Sequence, residues 1–393
     1  MPEKLLRSPR RIGGLAVLLA VFLLVALHPW GSRVRGQQAP TPAQREAGPH
    51  GLELKSAASC SNVSYTPGRT GESATSPNAA GPVVVDVGFF VSAITSIDPV
   101  ANTFQVEGYL HTVWCDPRLA FDPASRGVRE EIFLEEKAQE KLGEIWWPDL
   151  TFANQEGSRD SEDQQLILLA DGTVQQQEKL DVLLEAHFDL RRFPFDEQVL
   201  EIEIESFAWD AEYLVLHKEE ERIGFSDGFE LPEWHIERVE TTLKSVKEIR
   251  DRAPFSELVM KVHASRQSGF YIWKVLIPLF LLVAISWAVF WMPSEIVADR
   301  MSLSLAGLLT IVAYQFVISG GLPKVSYFTF MDSLLMVSFL LMILAIAENM
   351  TAHALHSRGR ADLARTLDRA CRWGFPLAYL TLIAILSLVY LRA

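Results

Sequence analysis

Two hydrophobic patterns divide the chain. From about residue 270 to the end it carries four long apolar runs, roughly Tyr271–Trp291, Ile296–Ser319, Tyr327–Ala347 and Trp373–Leu391. Each approaches the ~20 residues that a helix needs to cross a bilayer. Pro278 lies within the first run, a position that membrane helices tolerate. Pro293 separates the first run from the second, and Gly320-Gly321-Leu322-Pro323 separates the second from the third. Between residues 81 and 269 the apolar residues fall instead in short alternating runs bounded by turn signals. These are Val83–Ile97, Gln105–Trp114, Gln164–Ala170, Val174–Leu180, Asp181–Leu190, Gln198–Phe207, Tyr213–His217, Trp234–Lys247 and Glu257–Ser265. Asp171-Gly172 marks a hairpin between two of them. About ten short strands without a long helix predict an all-β, Ig-like sandwich. Arg129–Leu142 is expected to hold one or two helical turns. In Leu200–Glu205 the alternation predicts Ile202 and Ile204 in the core, with Glu201, Glu203 and Glu205 facing water.

The second apolar run carries a stripe of different character. Asp299, Ser302, Ala306, Leu309, Ala313 and Phe316 recur at helical spacing and lie on one face. Other faces are mostly Leu, Ile and Val. A carboxylate in hydrocarbon is expensive, so the stripe does not read as lipid-facing. Two readings fit it: the lining of a water-filled pore, or the core-facing stripe of a helical bundle with Asp299 at its wet end. In the pore reading, Asp299 selects cations and Glu295, one turn earlier, adds to the field. Leu309 and Phe316 are then apolar constrictions that close by dewetting. Arg300 must point away from the axis or pair with an acid.

Charge and composition set the compartment. The net charge is -13 and basic runs are confined to the termini, which argues against nucleic acid as a partner. Lys4, Arg7, Arg10 and Arg11 precede the apolar stretch Ile12–Leu27, so residues 1–36 read as a signal peptide or signal anchor. Residues 37–80, rich in Pro, Gly, Ser and Thr, read as a flexible extension. Residues 81–269 then form an exported domain and 270–393 a four-helix membrane domain. The link Glu348–Arg372 carries Arg358, Arg360, Arg365, Arg369 and Arg372 and is placed in the cytoplasm. The C-terminus returns to the sandwich's side. Three cysteines, Cys60, Cys115 and Cys371, show no metal spacing. They read as unpaired thiols, with a Cys60–Cys115 bridge as the alternative in an oxidising compartment. No nucleophile elbow, zincin helix or phosphate loop points to an enzyme.

The turn Phe188-Asp189-Leu190-Arg191-Arg192-Phe193-Pro194-Phe195-Asp196-Glu197-Gln198 resembles the signature loop of the pentameric ligand-gated ion channels, the superfamily of the Cys-loop receptors. Ala186 and Leu200 stand where that loop's two cysteines would be, a departure similar to the family's prokaryotic branch. Trp147-Pro148-Asp149 resembles the element before the first ligand-binding loop, and Trp114-Cys115-Asp116-Pro117-Arg118-Leu119 the end of the second strand. Arg266, Pro278 and Leu322-Pro323 match further positions in the family's order.

This resemblance implies a homopentamer in a bacterial inner membrane, gated by an agonist between sandwiches. The permeant ions would be monovalent cations, with no cofactor. An unknown small molecule, protons or divalent ions would modulate it. It favours the pore reading of the stripe. It places Trp114, Phe152, Phe207, Trp209 and Phe255 near the agonist loops, as an aromatic cage for an amine. It assigns coupling to the Ser96–Asn102 turn with Asp98, to Phe193, Pro194, Phe195 and Asp196, to Arg266, and to Leu322, Pro323 and Lys324. Arg191, Arg192, Asp196 and Lys324 are expected to make ionic contacts there. The rival reading is a non-conducting, membrane-anchored solute receptor.

Overall fold

The computed structural model describes residues 60, 75–78, 81–226, 231–247, 253–293, 295–320 and 324–392. The expectations for 1–36, for most of 37–80 and for Leu322 and Pro323 fall outside the described residues. Everything described belongs to one compact unit, Lys55–Ala393.

The alternating region folds as two sheets. The strands are β1 (Val83–Asp98), β2 (Thr103–Cys115), β3 (Glu130–Leu134), β4 (Leu150–Phe152), β5 (Asp160–Leu169), β6 (Thr173–Glu185), β7 (Glu197–Ser206), β8 (Leu214–Lys218), β9 (Gly224–Phe225), β10 (Trp234–Val246) and β11 (Phe255–Arg266). A seven-stranded sheet runs β3-β5-β6-β2-β1-β8, with β9 also on β1; a four-stranded sheet runs β10-β11-β7-β4. Val85, Val87 and Phe89 of β1, Ile202 and Ile204 of β7, and Met260 and Val262 of β11 share one buried cluster between them. Each such side chain contributes about 1.5–3 kcal/mol on burial. The two runs expected around residue 180 are the single strand β6, paired with β2 from Thr173 to Glu185. In Arg129–Leu142 a strand, β3, precedes the helix α1 (Glu136–Glu144), which buries Ala138 and Leu142.

The four apolar runs are helices: α2 (Gly269–Trp291), α3 (Val297–Ser319), α4 (Phe330–Ser357) and α5 (Ala361–Arg392). All four are long and apolar enough to cross a membrane. A π-helical turn at Ile272–Leu276 precedes Pro278 in α2. The proline has no N–H for the carbonyl one turn back, and the widened turn absorbs the mismatch. Thr329 and Asp332 close a reciprocal capping box at the start of α4. The expected long link Glu348–Arg372 is mostly helical. Only Arg358–Arg360 interrupts it, with Gly359 at φ 78° ending α4.

Cys60 and Cys115 are joined by a disulfide and Cys371 is free, so the reading of three unpaired thiols is corrected. The backbone N–H of Cys60 also donates to the Thr173 hydroxyl at 2.9 Å. The alternative reading, a Cys60–Cys115 bridge, is the one the structure holds.

At the β5–β6 hairpin, Gly172 has φ 91°, and an added Cβ would lie 2.6 Å from the Asp116 carbonyl oxygen. Gly172→Ala is therefore expected to destabilise the sandwich by roughly 1–3 kcal/mol. Thermal unfolding against wild type checks this; an unchanged midpoint would show that the turn shifts freely.

Candidate functional site

Helix α3 has two opposed faces. Asp299, Ser302, Ala306, Leu309, Ala313 and Phe316 are all exposed in the chain. Leu309 and Phe316 are 71% and 76% exposed. Arg300, Ser304 and Ile311 are buried on the other side, where a Cβ at Gly307 would collide with the Met342 methyl of α4. The stripe that the spacing singled out is thus the face that the chain's own helices leave exposed. The bundle core takes the opposite face, as two stripes of a 3.6-residue repeat allow.

Asp299 and Arg300 separate accordingly. The Arg300 side chain is 1% exposed, and its Nη2 donates to Asp368 of α5 at 2.7 Å and lies 3.3 Å from Glu348 of α4. Below it, Asn349 Nδ2 donates to the Ser304 hydroxyl at 3.0 Å. Both alternatives set for Arg300 hold at once: it turns away from the stripe and pairs with acids. Those acids lie 48 and 68 residues along the chain. The exposed Glu295 lies 3.6 Å from His356 Nδ1 of α4.

A second constellation joins sandwich and helices. The Phe193-Pro194 peptide is cis. Phe193 packs edge-on against Tyr271 of α2 at 4.7 Å, and Phe195 against Phe330 of α4 at 5.8 Å. The Phe330 N–H donates to the Arg191 carbonyl at 2.8 Å, and the Leu190 N–H to the Tyr327 hydroxyl at 3.1 Å. Behind the turn, Arg266 donates to Asp196 through Nε at 2.8 Å and Nη2 at 3.2 Å, both side chains buried. Gln198 donates to the same carboxylate at 2.7 Å. The Arg266 guanidinium lies 4.2 Å from the Trp234 ring centroid and 5.1 Å from that of Phe193. Of the four residues expected to make ionic contacts, Asp196 and Arg191 do so, Asp196 with Arg266 and Arg191 with Asp189. Arg191 sits over the Tyr327 ring and beside Asp189, while Arg192 and the exposed Lys324 make no ion pair among the described residues. Asp98 accepts from Val100 and Ala101 within its own turn, at 2.8 and 3.1 Å. Tyr271, Phe330, Tyr327 and Trp234 escaped sequence reasoning, since an aromatic at a helix start or strand end carries no signal of its cross-domain partner.

The aromatic candidates divide by burial. Trp114, Phe152 and Phe255 are buried in the sandwich and offer no ring face to a ligand. Phe207 is 64% exposed. Trp209, half-buried, is held by its indole N–H on the Trp147 carbonyl at 3.0 Å and packs between Trp146 and Tyr213. The Phe207 N–H donates to the Asp149 carbonyl at 2.9 Å. Burial raises the Asp149 carboxyl above its ordinary value, against the pull of Arg159.

On the four-stranded sheet the glutamates of β7 are not uniformly wet. Glu205 is buried and faces Glu257 across the β7–β11 pairing. Burial, then Glu203, push the Glu257 carboxyl up to about 7, against the pull of Lys244. Glu203 is raised by burial and by Glu201, whereas the Lys261 hydrogen bond holds Glu201 low.

Comparison with known proteins bears on these constellations. Residues 72–268 match the neurotransmitter-gated ion-channel ligand binding domain, and residues 275–363 the neurotransmitter-gated ion-channel transmembrane region. A proton-gated ion channel of Gloeobacter violaceus is 30% identical over 314 residues, 80% of this chain and 85% of that protein.

Two outcomes are expected. Asp196→Ala leaves the buried Arg266 charge without its main partner and should destabilise the junction by about 3–5 kcal/mol, read by thermal unfolding in detergent. For Glu257, a folded-state value near 7 against an ordinary 4.5 means that its stabilisation is complete below about pH 4.5. It is lost as pH rises through 7. Glu257→Gln should flatten the stability profile of the sandwich across that window; an unaltered profile would move the titration elsewhere.

Proposed function

The chain belongs to the neurotransmitter-gated ion-channel family, and from that membership we propose a homopentameric, cation-selective channel of a bacterial plasma membrane. The supporting observation is the uncovered stripe Asp299, Ser302, Ala306, Leu309, Ala313, Phe316, set against a buried stripe on the same helix. Arranged about an axis, the α3 helices make a carboxylate ring at one mouth and rings of Leu309 and Phe316 further in. The acidic ring draws cations, and the apolar rings close the pore by dewetting. The sandwich faces outward, and the arginine-bearing α4–α5 turn lies in the cytoplasm.

Protons are the proposed agonist. The Gloeobacter relative is a proton-gated channel, and in this sandwich burial pushes the Glu257 carboxyl up to about 7. A ligand opens the pore only by binding the open form more tightly than the closed one, so protonation must favour one arrangement of the four-stranded sheet. That sheet's β11 ends in Arg266, three residues before α2. The coupling path then runs through Asp196, Phe193 and Phe195 to α2 and α4. A second reading, an amine agonist, is favoured by one observation: Phe207, two residues before Trp209 in the chain, exposes its ring.

Currents recorded from the full-length chain in a planar bilayer, under pH steps and a salt gradient, test both readings. Acid should open a current that reverses near the cation potential, and Asp299→Asn should reduce its selectivity. Leu309→Ser, which wets the constriction, should pass current without agonist. A surface-assembled Leu309→Ser channel that stays silent would return the molecule to a non-conducting receptor. Current evoked by amines but not by acid would move the agonist site to Phe207.

A further inference from the structure

Asp299 and Arg300 are neighbours of opposite charge at one end of α3. Only the acid stands on the uncovered stripe. That separation is not a property of α3 alone. Arginine is long and flexible, and burying its guanidinium costs several kcal/mol unless acids receive it. Both acids come from other helices: Glu348 from the middle of α4 and Asp368 from the first turns of α5. Both act on the same nitrogen, Nη2. Arg300 Nε and Nη1, and Glu348 Oε1, make no hydrogen bond among the described residues. The guanidinium is therefore retained at one corner, not gripped along an edge as a bidentate pair would grip it.

We propose that Glu348 and Asp368 are selectivity-determining positioning residues. Neither belongs to the stripe, yet together they hold the Arg300 charge off the axis, so that Asp299 alone sets the field at the mouth. The chemistry is direct. A guanidinium released from its acids seeks the nearest water or carboxylate. On the pore reading, both lie on the other side of the same helix, at the adjacent Asp299. Arg300 would then neutralise the ring that selects cations. The inference rests on α3 lining the pore and Asp299 selecting the ion.

The test uses reversal potentials of the full-length channel under a salt gradient. Asp299→Asn is measured first and must lower the cation-to-anion permeability ratio; no change there overturns the underlying pore reading. Glu348→Gln and Asp368→Asn should each lower the ratio. The double variant should lower it about tenfold, the size of effect one unscreened charge exerts over roughly 10 Å at an effective dielectric near 20. Adding Arg300→Gln to the double variant should restore the ratio, since no misplaced cation remains. A purely structural clamp would not be rescued in this way. If the double variant conducts with the wild-type ratio while Asp299→Asn does not, the inference falls and the pore reading stands. A lowered ratio that Arg300→Gln fails to restore also overturns it. Should the double variant not assemble, Asp368→Asn alone decides, an unchanged ratio counting against the proposal.

Discussion

The Asp196–Arg266 pair is the constraint on which the rest of the structure depends. It lies where the signature turn, the end of β11 and the start of α2 converge. Removing both charges from water costs several kcal/mol each, and the site repays this through a two-point bond, a third donor from Gln198, and two aromatic faces around the guanidinium. Pulling the turn from the strand would leave a buried charge without its partner. The two consequently move as one piece. Through Phe193 on Tyr271 and Phe195 on Phe330, that piece touches two of the four helices. On the proposed coupling path, a displacement of the four-stranded sheet reaches α2 and α4 through these contacts.

Arg300 obeys the same physics with a different margin. Its guanidinium is as deeply buried as that of Arg266, but it is met on one nitrogen by acids from two separate helices. Arg266 is over-determined; Arg300 is held by a convergence of three helices that must all be in place. The contrast fits their positions. One arginine belongs to a strut that must not yield, the other to the foot of the helix whose orientation is the proposed business of the molecule.

Much of this was legible in the sequence, and what was not shares one cause. Hydropathy located all four membrane helices because each is a local property of some twenty residues. The α3 stripe was legible because a helix repeats its faces every 3.6 residues. Alternation found most strands, but it cut β6 in two, since Leu180 and Asp181 look like an end and a beginning. Pairing with β2 overrides that local break. The partners of Arg300, the disulfide at Cys115 and the aromatic seats of the signature turn join residues far apart in the chain, and no periodicity reports them. Burial of Glu205 was misread for a related reason. Strict alternation predicts which side a residue faces, not what else covers that side.

The two faces of α3 carry a final consequence. The helix has the hydropathy of a membrane span, and its buried face is met from within the chain: Arg300 is paired through Nη2, Ser304 accepts from Asn349, and Ile311 is buried. Its other face exposes an aspartate and a serine that hydrocarbon would not accept without penalty. Only two surroundings answer that penalty, water and another protein surface. A ring of identical subunits supplies both at once, with water along the axis and a neighbour on each flank. In the proposed assembly, the polar surroundings that this face requires and the water along the axis are one and the same.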